Sequence, residues 1–251
     1  MLVGIFLSRP NTSLPTMQGV FITSIPKSGT HLLASLVREV TGTYPTSVKE
    51  KKNSATYDFS VFSKLPNLLG HYRISHVKGS DSLRDLFAKR KVIVLVRDPR
   101  DICNSMLHYL YSSTNLNHVA ARQRLLDLDY ESQIIKIAEG FRVQERDFGV
   151  PNIRNCCSGF LEIAEEFKSA HVIRYEEFFD EDSFSRVIQS IFSINKDQAI
   201  HTLCIALSGG SRTKRNDGAS PNQWRSLFSD RLKTYFSNNF SDVIASLGYD
   251  V

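Results

Sequence analysis

Two sets of residues have the types and spacing to do chemistry. The first is the run Ser24-Ile25-Pro26-Lys27-Ser28-Gly29-Thr30. Between a strand and a helix, such a run offers an anion free backbone N–H groups and the positive end of a helix dipole. Lys27 adds a full charge, Ser28 and Thr30 add hydroxyl donors, and Gly29 lets the backbone approach the bound group closely. The order differs from the nucleotide-triphosphate motif, where the lysine follows the second glycine and stands just before Ser or Thr. Here Lys27 and Ser28 precede Gly29 and the first glycine is missing, which argues against a magnesium-triphosphate kinase. Taken alone, the run reads equally well as a turn with a helix cap.

The second set is Arg97, directly after an apolar run, and Ser105, about two helical turns further on. A guanidinium at a strand end and a hydroxyl on the facing helix could hold a second phosphate. The competing reading is a surface ion pair of Arg97 with Asp98 or Asp101, and it weakens when both sets occur in one chain. A proton acceptor working near neutral pH would be a histidine, and His71 and His76 both lie near the expected second strand. Whichever is not catalytic reads as a hydrogen-bonded core histidine. His108, on the helix after Ser105, reads as a packing or acceptor-pocket residue.

These residues need elements to position them. Gly19 to Ser24 reads as a buried strand. A helix follows, burying Leu32, Leu33, Leu36, Val37 and Val40 and ending near Gly42. Arg73 to Val77 reads as a strand and Asp81 to Lys89 as a helix. Lys91 to Val96 has the continuous apolar signature of a parallel strand covered on both faces. Asp98 then caps a helix with Pro99 at its first position, running through Leu110. Glu131 to Gly140 and Cys156 to Lys168 read as helices, His171 to Tyr175 as a strand, and the rest mostly as helix. This alternation predicts an α/β fold with a central parallel, doubly wound sheet, whose ligands bind beyond the C-terminal strand ends.

At 251 residues and 41% hydrophobic content, one domain over 1–251 is expected. A net charge of +5 suits an anionic ligand, a nucleic acid or an acidic membrane surface equally. A nucleic-acid binder would carry a basic stripe with interleaved aromatics, whereas these lysines and arginines are dispersed. The densest run, Lys49-Glu50-Lys51-Lys52, reads as a solvated loop. The four cysteines, two of them adjacent at Cys156 and Cys157, form neither a disulfide framework nor a zinc spacing, so a reducing, cytoplasmic setting is expected. The apolar run Leu2 to Leu7 is too short for a membrane span or signal peptide.

Together the two motifs resemble the sulfotransferases that use 3'-phosphoadenosine 5'-phosphosulfate (PAPS), in a pattern closest to soluble bacterial and cytosolic members. The resemblance runs from about Gly19 to Tyr249. It implies a P-loop-like fold with Lys27, Ser28, Gly29, Thr30 and His31 around the 5'-phosphosulfate, and with Arg97 and Ser105 on the 3'-phosphate. In Val172-Ile173-Arg174-Tyr175-Glu176 it implies that Tyr175 meets the adenine. Trp224, Arg225 and Phe228 resemble the late loop over the nucleotide, to which Arg215 would contribute, and Leu247-Gly248-Tyr249 matches the family's C-terminal end. Two departures stand out. His31 replaces the tryptophan usual in cytosolic animal members, and the late loop reads Lys214-Arg215-Asn216-Asp217-Gly218 with a longer approach to Trp224.

By the family's mechanism an acceptor hydroxyl or amine attacks sulfur in line, Lys27 counters the charge on the departing oxygen, and 3'-phosphoadenosine 5'-phosphate (PAP) leaves. No metal is required. Family spacing favours His76 as the base, with Gly70-His71 matching a form found in some relatives. The acceptor, a small molecule or glycan, is not legible. Thr43 to Asn67 and Leu110 to Asp129 are expected to bind it, with Tyr57, Phe59, Phe62, Tyr109 and Tyr111 as candidate lining. A nucleotide or small-molecule kinase, or an inactive relative that still binds nucleotide, are the competing functions.

Overall fold

The computed structural model describes residues 19–48, 59, 62–144, 148–210 and 220–251. Five parallel strands form the main sheet: β1 (Val20–Ser24), β2 (Thr46–Ser47), β3 (Leu68–Gly70), β4 (Lys91–Val96) and, after the antiparallel hairpin of β5 (Phe141–Val143) and β6 (Phe148–Val150), β7 (Ala170–Arg174). Their order is β2-β3-β1-β4-β7. Apolar cores on both faces explain why β1 and β4 carry almost no polar alternation. Phe21, Val92, Val94 and Val96 point into one core and Ile22, Ile93, Leu95 and Ile173 into the other. Val92 to Val96 are fully buried, each apolar side chain contributing about 1.5–3 kcal/mol relative to exposure.

Helix α1 (Thr30–Thr41) follows β1 and buries Leu33, Leu36 and Val37 in the second core. Next come α2 (Ile74–Lys78), α3 (Asp81–Ala88) and α4 (Pro99–Ser112). Asp98 caps α4, its Oδ1 accepting from the Arg100 N–H at 2.9 Å, with Pro99 in the first turn. Among the described residues no helix is long and apolar enough to cross a membrane.

Arg73 to Val77, expected as a strand, is instead mostly helix α2. The strand before it, β3, ends at Gly70, and Tyr72 leaves the sheet with its N–H on Thr23 Oγ1 at 3.1 Å. Ile74 and Val77, whose branched side chains suggest a strand, share an apolar face at i and i+3. The helix expected over Cys156 to Lys168 is broken into Ile153–Cys157 and Glu162–Glu166. Gly159 interrupts it with a φ of +77°, and its carbonyl accepts the Ile74 N–H at 2.7 Å.

Candidate active site

Register assembles the site. In a parallel sheet all C-terminal strand ends face one way, and here Thr23 pairs with Gly70, Ser24 with Leu95, and Val96 with Arg174. The residues just beyond those positions, the Lys27 loop, His71, Arg97 and Tyr175, therefore emerge side by side.

The loop after β1 is held by Ile25 N–H on the Leu95 carbonyl at 3.1 Å and Ser28 N–H on the Ile25 carbonyl at 3.2 Å. Lys27 has a φ of +71°, a conformation that costs a non-glycine residue about 1–2 kcal/mol. Gly29, at φ +90°, shows why glycine is needed: a Cβ would stand 2.4 Å from the Tyr175 ring. Gly29→Ala is therefore expected to push Tyr175 away and lower Tm by several degrees in a thermal melt, combining backbone strain with overpacking of about 1–3 kcal/mol. An unchanged Tm would mean that Tyr175 does not need its observed place. Ser28 Oγ is buried and has no hydrogen-bond partner among the described residues, a loss of about 1–3 kcal/mol unless a ligand acceptor reaches it.

Arg97 is nearly fully buried. It donates to the carbonyls of Lys27 at 3.3 Å and Ser220 at 3.1 Å, and its guanidinium lies 4.3 Å from the centre of the Tyr175 ring. Asp101 stands 4.0 Å away, so the ion pair read as a surface alternative exists but is buried. Asp101 also accepts the N–H groups of Asn222 at 2.6 Å and Trp224 at 3.0 Å. Burial pushes its pKa up to about 6, against the pull of Arg97. Ser105 is half-buried on α4, one turn beyond Asp101 and one turn before Tyr109.

Lys27 extends toward α4, its Nζ 3.8 Å from the centre of the Tyr109 ring. Burial, then the charge of Arg97, lowers its pKa to about 8. His71 lies on the other side of the loop, its Nδ1 2.8 Å from the Ser24 carbonyl and 3.1 Å from Ser24 Oγ, which also meets Thr30 Oγ1 at 2.7 Å. A carbonyl only accepts, so Nδ1 carries the hydrogen and Nε2 keeps a lone pair. The ring has an exposed edge but stands among protein atoms, and this burial lowers its pKa against the Ser24 bond.

A model of the family described as "Sulfotransferase domain" matches residues 18–182, nearly two thirds of the chain. The chain belongs to the sulfotransferase domain family. Among solved structures it is similar to a mouse sulfotransferase, SULT7A1, complexed with PAP, at 17% identity over 92% of this chain and 87% of that one, TM-score 0.62. It is also similar to a retinol dehydratase complexed with retinol and PAP, at 13% identity over 95% of this chain and 84% of that one, TM-score 0.55. At these identities the likeness speaks for the fold. No curated protein matches the sequence.

In this sulfotransferase the two motifs expected to bind phosphates do meet, through Arg97 and the Lys27 carbonyl. His31 is exposed on the first turn of α1, and His108 is half-buried on α4. His76 sits one turn into α2, accepting the Arg73 N–H at 3.3 Å with its ring edge-on to Tyr72. Tyr175, expected at the adenine, is buried, with its ring against Gly29 and the Arg97 guanidinium. Trp224 is buried beneath Arg100, 3.5 Å from its ring centre. Phe59 and Phe62, candidates for the acceptor pocket, are packed into the core. Arg215 and Tyr57 lie outside the described residues. Among the described residues no three His, Cys, Asp or Glu side chains converge as metal ligands.

Two acids hold segments together in ways the sequence reading did not assign. Glu176 accepts the Asp98 N–H at 3.2 Å and the Tyr249 hydroxyl at 2.7 Å, joining the Arg97 segment, the end of β7 and the C-terminal segment. Asp101 fixes the late segment. The signal for both was present: each is an acid in or beside a motif where the resemblance assigned only the basic, hydroxyl and aromatic residues.

Proposed function

We propose that this sulfotransferase draws on PAPS and sulfates a hydroxyl or amine of a small-molecule or glycan acceptor. One observation carries the reading: four neighbouring strand ends bring Lys27, His71, Arg97 and Tyr175 around a loop whose buried Ser28 hydroxyl awaits an acceptor. Gly29 lets the loop close against the Tyr175 ring, and the Gly29 and Thr30 N–H groups stand at the start of α1. Lys27, Ser28, Gly29 and Thr30, with His31 beside them, would hold the 5' end, and Arg97 with Ser105 the 3'-phosphate. When bound, PAPS supplies the activated sulfuryl group. Lys27 opposes the negative charge that develops on the leaving oxygen. Among the histidines, His71 fits the base better than the His76 favoured by spacing. Its Nδ1 donates to the Ser24 carbonyl at the start of the loop, which leaves Nε2 as the basic nitrogen, whereas the Nδ1 of His76 is engaged in capping α2. The acceptor's proton would pass to His71 Nε2, with the Ser24 carbonyl stabilising the imidazolium through Nδ1.

The retinol dehydratase neighbour has also been solved with androsterone, which is compatible with a small-molecule acceptor here. A cytoplasmic location is proposed on the four free cysteines, three of them buried.

Calorimetry tests the nucleotide. PAP is expected to bind at least tenfold more tightly than adenosine 5'-phosphate, because each charge-assisted bond lost from Arg97 or Ser105 costs about 1.5–3 kcal/mol. Equal affinity, or tighter binding of Mg-ATP, would overturn the reading in favour of a kinase.

A further inference from the structure

Lys27 is a half-buried cation. Among the described residues no carboxylate forms a salt bridge with it, and the charge bearing on it is that of Arg97, which repels. What faces its ammonium is an aromatic ring: Tyr109, on the third turn of α4, at 3.8 Å from Nζ to the ring centre. That is well inside the range of about 6 Å at which a ring quadrupole attracts a cation.

The ring is itself held in place. His118, on the helix Leu116–Gln123, packs on it with centroids 4.9 Å apart, and Phe148 of β6 packs on His118 at 5.4 Å. Ser113 Oγ lies 2.8 Å from His118 Nδ1. His118 is the other titratable group facing Lys27, and its pKa is lowered by burial and then by the lysine's charge, so at neutral pH it adds no second positive charge. His71, just after β3 and bonded to Ser24, is likewise pushed toward neutrality by burial.

We propose that Tyr109 is a positioning residue for Lys27, its ring face holding the side chain in the charged form and leaving the other ammonium hydrogens for the sulfuryl-bearing end of the nucleotide. The proposal rests on the assignment of Lys27 to that end. It adds that the lysine's charge at working pH depends on a residue of α4 that makes no hydrogen bond to it. A ring face can do this where a carboxylate would not serve, because a carboxylate beside the ammonium would repel the incoming anion. The hydroxyl of Tyr109 has no part in it, so phenylalanine should serve as well.

The test measures the amine directly, without nucleotide. Competitive acetylation of Lys27 with acetic anhydride, followed across pH by mass spectrometry, should titrate near pH 8 in the unaltered protein and in Tyr109→Phe. In Tyr109→Leu the titration should move down by about 0.4–1.5 pH units, the shift expected of a lost cation–π contact. Tyr109→Met serves as a second ringless variant should leucine disturb the fold, with an unchanged thermal melt as the check on folding. In turnover, the alkaline limb should fall by the same amount in the ringless variants only. A titration that stays in place or rises without the ring, or that moves equally in Tyr109→Phe, would overturn the proposal. Because labelling needs no cofactor, its failure is separate from failure of the PAPS assignment, which would appear as a loss of PAP selectivity.

Discussion

Replacing Lys27 with alanine is expected to lower turnover by about 10²–10³-fold, the usual effect of removing one preorganised donor from developing charge. Binding of PAP should weaken far less, because the product retains Arg97, Ser105 and the backbone N–H groups, and the lysine contributes most where charge builds in the transition state. The pH dependence carries the same assignment. Burial and Arg97 lower the pKa of Lys27 to about 8, so the ammonium is present below that pH and lost as pH rises through it. Turnover should therefore fall on an alkaline limb near pH 8, and that limb should vanish in Lys27→Ala. The pKa of His71 lies below the ordinary imidazole value, so the base should already be unprotonated at neutral pH, leaving a plateau between the two limbs. Steady-state kinetics across pH with any working acceptor decides this. Near-normal turnover in Lys27→Ala would reduce the lysine to shaping its loop.

Much of this was legible because it is local. The phosphate loop, the strand before Arg97 and the cap at Asp98 each depend on a few consecutive residues, and β1, β4 and α4 fall within a residue or two of where the pattern places them. What the pattern misplaced depends on long-range pairing. Ile74 and Val77 have the branched side chains of strand residues, but β3 is already terminated at Gly70 by its pairing with Thr23 of β1. The choice between the two histidines follows from that register. With β3 ending at Gly70, the residue beside Ser24 is His71, and His76 is carried one helical turn away. Similarly, Asp101 reads as a partner on the surface until the chain from Ser220 to Trp224 folds across it, over a hundred residues later in the sequence. The contact of Lys27 with Tyr109 joins residues more than eighty positions apart, and no spacing rule could announce it.

The base is the assignment on which sequence spacing and geometry part most clearly, and a pair of variants separates them. Loss of a general base costs about 10²–10⁴-fold in rate. His71→Ala should therefore abolish most transfer while PAP affinity holds, since the bond from His71 Nδ1 to the Ser24 carbonyl braces the loop without contributing charge to the nucleotide. His76→Ala removes the acceptor of the Arg73 N–H and a ring packed edge-on against Tyr72. That should lower Tm, by the usual cost of a lost cap of about 0.5–2 kcal/mol, and leave turnover within a few-fold. His71→Gln sharpens the test. Its amide can still meet the Ser24 carbonyl but takes no proton at neutral pH, so the loop should keep its PAP affinity and the acidic limb of the rate profile should disappear with the activity. If His76→Ala is the inactive, folded, nucleotide-binding variant and His71→Ala is active, the spacing was the better guide and α2 must reach the acceptor. If both remain active, the proton leaves by another route, and an amine acceptor that arrives unprotonated becomes the reading to pursue.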